Sequence, residues 1–162
     1  MTNPDYVSVT AAVMRRADKV LVAKRKRAHM GYSWEFPGGK RHGNETLADC
    51  ITRELREELD LQVMQAFPLF AIVHRYPEKT IRLWFMRCEL TTADNAVRCL
   101  EGQAAGWFAA TELKNLPMAP ADHAVLAWLG GDDPAASELL IADACGTEEL
   151  RQWLRSPAAP RT

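Results

Sequence analysis

The segment Gly39–Leu61, GKRHGNETLADCITRELREELDL, joins a basic, glycine-containing loop to an acidic stretch with helical periodicity. Apolar side chains recur at every fourth position of its second half, at Leu47, Ile51, Leu55 and Leu59. This spacing is typical of the buried face of an α-helix. We therefore predict a helix over Thr46–Leu59 that starts at Asn44 or Glu45, with Asn44 as a favourable N-cap.

Three carboxylates, those of Glu54, Glu57 and Glu58, share one flank of this predicted helix, beside its apolar face. At roughly 100° per residue, Glu54 and Glu58 are about 40° apart, and Glu57 lies about 100° from Glu58. Such crowding of like charges costs roughly a few tenths of a kcal/mol per pair, and a divalent cation would remove that cost. Oxygen ligands favour Mg²⁺ or Mn²⁺ over softer metals. Taken alone, however, the acidic flank favours a simple solvated face.

The loop before the helix has the features of a phosphate-binding turn. Gly38 and Gly39 allow the backbone to approach a ligand closely, and Lys40 and Arg41 supply positive charge. Hydrolysis of a pyrophosphate bond requires a metal site beside such a loop, because metal ions neutralise phosphate oxygens, orient a water molecule and lower its pKa. The loop and the acidic helix together therefore indicate phosphate chemistry.

The rest of the chain predicts strands mixed with two main helices, and hence a layered α/β or α+β fold. The predicted strands are Val7–Met14, Val20–Ala23, Trp34–Gly39 running into a tight turn, Phe67–His74, Thr80–Leu90 and Gly106–Ala109. The second helix is predicted over Ala121–Leu129. The basic run Lys24–Arg27 is interpreted either as a solvated loop or as an edge that faces phosphate.

The sequence Gly130–Pro134, GGDDP, interrupts the pattern. We therefore divide the chain into a domain over residues 1–131 and a C-terminal extension over residues 132–162. The extension is predicted to contain one amphipathic helix, Thr147–Leu154, and a frayed end.

Composition restricts the classes of function. The chain has 162 residues, of which 48% are hydrophobic and 25% charged, as expected for one globular domain. Its formal net charge of −1 gives no electrostatic case for binding long nucleic acid or a membrane surface. Its four cysteines form no C-x-x-C pair, which predicts reduced, mostly buried thiols. No signal-peptide pattern or long apolar run is visible, so we expect a cytoplasmic monomer or homodimer.

The fixed positions of the opening segment resemble the Nudix box, G-x5-E-x7-R-E-U-x-E-E-x-G-U, in which U is aliphatic. Gly39 and Glu45 match its first two fixed positions, and Arg53–Glu58, RELREE, matches its centre. Asp60 replaces the last glycine, which ends the helix in a left-handed conformation that Asp tolerates. The resemblance implies the Nudix fold, a mixed β-sheet sandwiched between helices, with pyrophosphohydrolase activity.

The resemblance extends to the MutT-like members of this family, which act on nucleoside triphosphates, and it covers roughly residues 6–129. It is carried by Ala28-His29-Met30, Trp34–Lys40 (WEFPGGK), Leu83-Trp84-Phe85, Glu101-Gly102-Gln103 and Leu116-Pro117 leading to Ala121-Asp122. The tail after Gly130 is not part of it.

The resemblance also implies a catalytic metal site made of oxygen ligands. The expected ligands of Mg²⁺, or alternatively Mn²⁺, are the Gly39 carbonyl, Glu54, Glu57 and Glu58. Glu101 is expected to be a further ligand or the base that activates water, and an ordinary loop carboxylate is its other interpretation. Glu45 and Arg53 are expected to form a salt bridge that orients the helix.

A second set of residues is expected to bind the substrate, namely Arg25, His29, Phe36, Gly38, Lys40 and Asp122. Arg25 matches a basic residue near the phosphates or the base, whereas Phe36, His29 and the segment around Asp122 match the base-recognition region. An ionised Asp122 would accept a hydrogen bond from the amine of cytosine, and a protonated one would donate to a purine carbonyl. CTP-type and oxidised guanine substrates both stay open, as does a simple helix-capping role for Asp122.

We therefore expect metal-dependent attack of water on a nucleoside triphosphate, giving a nucleoside monophosphate and pyrophosphate, in the sanitation of the nucleotide pool. The named candidates are 8-oxo-dGTP and CTP. One alternative is a Nudix hydrolase of ADP-ribose or a dinucleotide. Another is a nucleotide-sensing Nudix domain without turnover, which the intact Glu54, Glu57 and Glu58 argue against.

Overall fold

The computed structural model describes residues 6–29, 32–75, 77–91, 96–123, 125–126 and 139–140. Within these ranges the chain is a mixed α+β structure, as predicted. Its strands are β1 Tyr6–Val13, β2 Arg15–Arg16, β3 Lys19–His29, β4 Tyr32–Glu35, β5 Gly38–Lys40, β6 Val63–Arg75, β7 Thr80–Leu90, β8 Ala104–Ala109 and β9 Leu139–Leu140. Its helices are α1 Leu47–Leu59 and α2 Ala110–Leu113, and a 3₁₀ turn spans Pro120–Asp122.

The strands form two sheets. The first has the order β5-β1-β7-β6-β9, in which β1 and β7 are parallel and the other neighbours antiparallel. The second is centred on β3, which pairs antiparallel with β2, β4 and β8. A parallel pair requires a crossover connection, and the chain between β1 and β7 includes α1. This crossover brings the acidic helix against the first sheet.

Alternation along β1 separates two apolar clusters. Ala11 and Val13 belong to one cluster, whereas Ala12 and Met14 belong to the other, which lies under α1. Helix α1 contributes three fully buried side chains to this second cluster, those of Ile51, Leu55 and Leu59. Trp84 and Trp107 pack at its margin, as expected for core residues. The helix is thus held by its apolar face, which leaves its acidic flank at the rim of the sheet.

Helix α1 confirms the periodicity argument, but its predicted start is wrong. The N-cap is Thr46 instead of Asn44 or Glu45. The Thr46 hydroxyl accepts a hydrogen bond from the Asp49 N–H at 3.0 Å, and the Asp49 carboxylate accepts one from the Thr46 N–H at 3.4 Å. This reciprocal capping box satisfies two N–H groups of the first turn. At the other end, Asp60 is left-handed with φ 54° and ψ 32°, as predicted.

Two further predictions need correction. The basic run Lys24–Arg27 lies inside β3, so its interpretation as a loop is wrong. Lys24 pairs with Trp34 of β4 and Ala104 of β8, and the β3–β4 register is irregular between Lys24 and His29. The short helix α2 was not expected. The second helix, predicted over Ala121–Leu129, does not begin at Ala121. A 3₁₀ turn spans Pro120–Asp122 and is followed by helical residues at 123, 125 and 126. Residues 127–129 lie outside the described part.

The extension contributes a short strand to the domain, because β9 pairs with Ala71 and Ile72 of β6. The predicted helix Thr147–Leu154 lies outside the described residues. Among the described cysteines, Cys50 and Cys88 are buried and Cys99 is half-buried, and all three are free thiols. In the described ranges, no helix is long and apolar enough to cross a membrane.

Candidate active site

The acidic flank of α1 lies directly against β5. Strand β5 is the edge strand beside β1, with Gly39 opposite Thr10. A Cβ atom added to Gly39 would overlap the carboxylate of Glu54, whose side chain is only 12% exposed. A Cβ on Gly38 would instead overlap the backbone carbonyl of Thr10. Backbone of the neighbouring strand therefore excludes a side chain at Gly38, whereas a side chain at Gly39 would require the flexible end of Glu54 to move.

Arg53 connects the loop to the acidic flank. Its guanidinium makes a two-pronged ion pair with Glu45, with Nε–Oε1 at 2.5 Å and Nη2–Oε2 at 3.1 Å. This is the salt bridge that the sequence predicted. Arg53 also donates to the Lys40 carbonyl at 3.0 Å, and its Nη1 contacts Glu54 at 2.8 Å and Glu57 at 3.2 Å. Hydrogen bonding to Arg53 lowers the pKa of Glu45 to about 2, so Glu45 stays ionised.

Glu58 is half-buried near the end of α1. Desolvation, followed by repulsion from Glu54, Glu101 and Glu35, raises its pKa to about 8, although the Gly38 N–H donates to it and opposes the shift. A positive charge placed nearby would favour the ionised form of such a carboxyl group. The Glu58 carboxyl group thus accepts a hydrogen bond from the Gly38 N–H, and the Glu54 carboxylate lies against Gly39.

Glu101 reaches the site through the segment 98–103, which is hydrogen-bonded to the end of α1. The Leu100 N–H and the Gln103 side-chain amide both donate to the Glu58 carbonyl, at 2.9 Å and 3.0 Å. The Gln103 side chain also accepts from the Glu101 N–H at 3.0 Å. These bonds bring the Glu101 carboxylate close enough to raise the pKa of Glu58, which is the proximity that a shared ion would require.

The donor set fits a hard divalent cation. The Glu54 and Glu101 carboxylates both lie close enough to Glu58 to raise its pKa, and oxygen ligands are those that Mg²⁺ prefers. Among the described residues, no three acidic, His or Cys side chains are already grouped as ligands of one ion. The Arg53 guanidinium lies instead against Glu54 and Glu57. An incoming ion would have to draw these two carboxylates away from the guanidinium.

Asp122 occupies a buried position on the other side of β4. It is 3% exposed, and its Oδ2 accepts a hydrogen bond from the Phe36 N–H at 3.1 Å. Burial, followed by repulsion from Glu35, raises its pKa to about 8, although the Phe36 N–H opposes the shift. One oxygen of the carboxyl group is thus bonded to the backbone just after β4. Asp122 and Phe36 lie together, as the resemblance implies.

The remaining predicted substrate residues are less tightly held. The Arg25 Nε lies 3.4 Å from a carboxylate oxygen of Glu35, in the pair β3–β4. Lys40 is exposed and contributes its carbonyl to Arg53. His29 ends β3, and its side chain lies outside what the structure describes.

Several residues of the site were missed by the sequence analysis. Glu35 is half-buried, and Thr10 and Cys50 are buried next to Gly39. The Thr10 hydroxyl is 3.3 Å from the Gly39 carbonyl and 3.3 Å from the Cys50 sulfur. A polar residue in the apolar strand β1 was the available signal for Thr10. Glu35 and Gln103 stand in two segments that carry the resemblance, but the sequence analysis gave them no role, because their positions depend on strand register and long-range contacts.

Comparisons with known proteins agree with this geometry. The model of the NUDIX domain family matches residues 5–129. The 8-oxo-dGTP diphosphatase of Proteus vulgaris is 42% identical over 69 residues, a match that spans 42% of this chain and 62% of that protein. The 8-oxo-dGTP diphosphatase of Escherichia coli is 30% identical over 126 residues, 76% of this chain and 95% of that protein.

The CTP pyrophosphohydrolase of Escherichia coli is 29% identical over 123 residues, 74% of this chain and 88% of that protein. Among solved structures, the E. coli ORF135 protein superimposes with a TM-score of 0.65 at 28% identity, over 76% of this chain and 87% of its own. The NUDIX match over residues 5–129 includes the loop, the acidic helix and Asp122. The chain therefore belongs to the Nudix family and is one of its MutT-like pyrophosphohydrolases.

Proposed function

We propose that this protein hydrolyses a nucleoside triphosphate to the monophosphate and pyrophosphate in a Mg²⁺-dependent reaction that removes unwanted nucleotides from the pool. The observation that carries the proposal is the close approach of the Glu54 carboxylate to Gly39, where an added Cβ atom would overlap that carboxylate. A carboxylate-rich helix flank at a glycine turn provides oxygen ligands beside backbone that a phosphate can approach.

The proposed metal ligands are the Gly39 carbonyl and the carboxylates of Glu54, Glu57, Glu58 and Glu101. Bound Mg²⁺ would neutralise charge on the phosphates and lower the pKa of a water molecule. Arg53 orients the flank, since it is fixed by Glu45 and by the Lys40 carbonyl. With the phosphates and the water held in line, catalysis depends on positioning and charge compensation, without a covalent intermediate.

Asp122 is the proposed reader of the base. Its raised pKa of about 8 means that it carries a proton at pH 7, and a protonated carboxyl group can donate a hydrogen bond to a purine carbonyl. This favours an oxidised guanine nucleotide, the substrate in the names of two of the relatives described above. CTP is the second candidate, because an ionised Asp122 would accept from the cytosine amine and one relative is a CTP pyrophosphohydrolase.

A substrate panel in Mg²⁺ tests the proposal. It contains the ordinary triphosphates, 8-oxo-dGTP, 5-substituted dCTP and ADP-ribose, with pyrophosphate and phosphate measured separately. We expect one triphosphate to be preferred, with release of pyrophosphate and loss of turnover in EDTA. Preferred cleavage of ADP-ribose would instead support the alternative Nudix activity. Nucleotide binding without turnover of any compound would support a sensing domain.

The substitution Asp122→Asn should change the pH dependence of stability. A carboxyl group whose pKa rises from 3.8 to about 8 on folding binds its proton more tightly in the folded chain. The free energy of unfolding therefore decreases as pH rises between these values and levels off above the folded pKa. Asparagine cannot ionise, so this decrease should be smaller in the variant. Melting temperatures of both proteins at pH 5 and pH 8 in EDTA provide the measurement, and equal pH dependence would contradict the shift.

A further inference from the structure

The Gln103 side chain bridges two parts of the candidate site that come from different layers of the fold. Its amide nitrogen donates a hydrogen bond to the Glu58 carbonyl at 3.0 Å, and its amide oxygen accepts one from the Glu101 N–H at 3.0 Å. Glu58 stands in the last turn of α1, whereas Glu101 precedes β8, a strand of the second sheet. One half-buried side chain thus spans the end of the acidic helix and the segment that carries Glu101.

Neither of these bonds is needed to satisfy the backbone group that it reaches. The Glu58 carbonyl already accepts the Leu100 N–H at 2.9 Å, which pairs a carbonyl at the helix end that lacks an intrahelical partner. The Glu101 N–H bonds to Gln103 in an exposed turn, where water can take the place of the amide oxygen. Helix capping therefore does not account for the Gln103 side chain.

The turn that carries Glu101 is held from both of its sides. Before Glu101, the Leu100 N–H ties the chain to α1. After it, Gly102 has a φ of 75° and redirects the chain, and Ala104 then pairs with Lys24 of β3. The Gln103 bridge adds a tie to α1 on this second side. The backbone on both sides of Glu101 is thus fixed relative to the helix that carries the other carboxylates.

The Glu58 and Glu101 carboxylates repel each other when no cation lies between them. Glu101 is close enough to Glu58 to raise its pKa, as Glu54 also does. Repulsion between like charges favours arrangements in which the exposed Glu101 side chain moves away. A bridge from the Glu58 backbone to the Glu101 backbone opposes this separation. It keeps the carboxylates of two different segments within reach of one ion.

We propose that Gln103 is a positioning residue for the metal site, whose side chain holds the Glu101 carboxylate at the acidic end of α1. The inference rests on the proposed function and deepens it, because Glu58 and Glu101 are among the proposed ligands. In this role Gln103 does not touch the ion. It fixes the distance between ligands that α1 supplies and the ligand that the segment before β8 supplies. The loss of such a supporting partner typically weakens metal binding by about 10- to 100-fold.

The test is a double-mutant cycle between Gln103 and Glu101, followed through Mn²⁺ binding. Gln103→Leu keeps the approximate size of the side chain and removes both hydrogen bonds, whereas Gln103→Asn keeps the amide on a shorter side chain. Each is made in the wild-type protein and in Glu101→Gln. Gln65→Leu is the matched control, because Gln65 is exposed on β6 opposite Glu89. Electron paramagnetic resonance gives the Mn²⁺ dissociation constants without nucleotide, and melting temperatures are measured in EDTA.

In the wild-type background, Gln103→Leu should weaken Mn²⁺ binding by about tenfold or more, and Gln103→Asn should fall between this variant and the wild-type protein. In the Glu101→Gln background, both should change the dissociation constant by less than about twofold, because the ligand that Gln103 positions is already altered. Gln65→Leu should bind Mn²⁺ as the wild-type protein does. In steady-state assays, Gln103→Leu should require more Mg²⁺, with an unchanged KM for the nucleotide at saturating Mg²⁺.

Equal losses of Mn²⁺ affinity in both backgrounds would overturn the proposal and indicate a general structural role for Gln103. Unchanged Mn²⁺ binding in both Gln103 variants would overturn it as well, and so would unchanged binding in Glu101→Gln alone. Melting temperatures identify a variant that is unfolded, and the other Gln103 variant then supplies the comparison. A wild-type protein that binds Mn²⁺ but hydrolyses no triphosphate would refute the proposed function, whereas the Mn²⁺ affinities would still decide the role of Gln103.

Discussion

Replacing Glu57 by Gln is expected to lower kcat for the preferred triphosphate by about 10²- to 10⁴-fold, the range observed for the loss of a positioned acid–base group. The Glu57 side chain is 53% exposed and forms an ion pair with Arg53 at 3.2 Å. The substitution keeps the size of the side chain and removes its charge, so it replaces a proposed anionic ligand by a weaker neutral one without opening a cavity. Steady-state pyrophosphate release over a range of Mg²⁺ concentrations measures the effect.

The Glu57→Gln experiment needs a measurement of stability and a control variant. The melting temperature of Glu57→Gln should stay within a few degrees of wild type, because an exposed ion pair contributes only about 0–1 kcal/mol. The control is Glu78→Gln, which removes an exposed carboxylate from the turn before β7 and should keep wild-type kinetics. A Glu57→Gln protein with the wild-type rate at saturating Mg²⁺ would show that the assignment of Glu57 to the metal site is wrong.

Replacing Gly39 by Ala is expected to reduce kcat by about 100-fold, which is the scale of a misplacement of about 1 Å at a catalytic centre. The added methyl group overlaps the Glu54 carboxylate, and the flexible end of that side chain is what must move. Gly39 is not among the residues with positive φ, so alanine meets no backbone strain. We therefore expect a folded protein with near-normal melting temperature, a displaced Glu54 and weakened Mn²⁺ binding in titrations followed by electron paramagnetic resonance.

Gly43→Ala is the matched control in the same loop. Gly43 has φ +49°, and a Cβ atom placed on it would meet nothing within 4 Å. Alanine there should cost about 1 kcal/mol of stability, because a left-handed conformation is unfavourable for residues with a Cβ atom, but it should leave kcat unchanged. The two substitutions should thus have opposite signatures. If Gly39→Ala lost stability and kept its activity, the contact with Glu54 would have no catalytic meaning.

Helix α1 shows what local sequence can predict. Its apolar spacing, its acidic flank and its left-handed end at Asp60 were all visible in the sequence, because each depends on residues within one or two helical turns. Its N-cap was predicted wrongly for an equally local reason. Asn44 is intrinsically a good cap, but the capping box between Thr46 and Asp49 satisfies two N–H groups at once.

The family resemblance came from the sequence too, because the spacing Gly39, Glu45, Arg53 and the following glutamates is preserved along one short segment. The spacing that separates ligands within a helix is fixed by the backbone, so a linear motif can record it. It cannot record which side of the helix faces the loop. That depends on the burial of Ile51, Leu55 and Leu59 against the first sheet, and hence on the fold.

By itself, then, the sequence determined the acidic helix, its glycine loop and the family to which they belong. Only the tertiary structure decided that the Asp122 carboxyl group is bonded to Phe36, 86 residues earlier in the chain. It likewise decided that segment 98–103 brings Glu101 to the end of α1, and that the register of β3 and β4 places Glu35 opposite Ala23. Such placements depend on strand pairing and packing between distant segments, and a one-residue change of register would turn Glu35 to the opposite face.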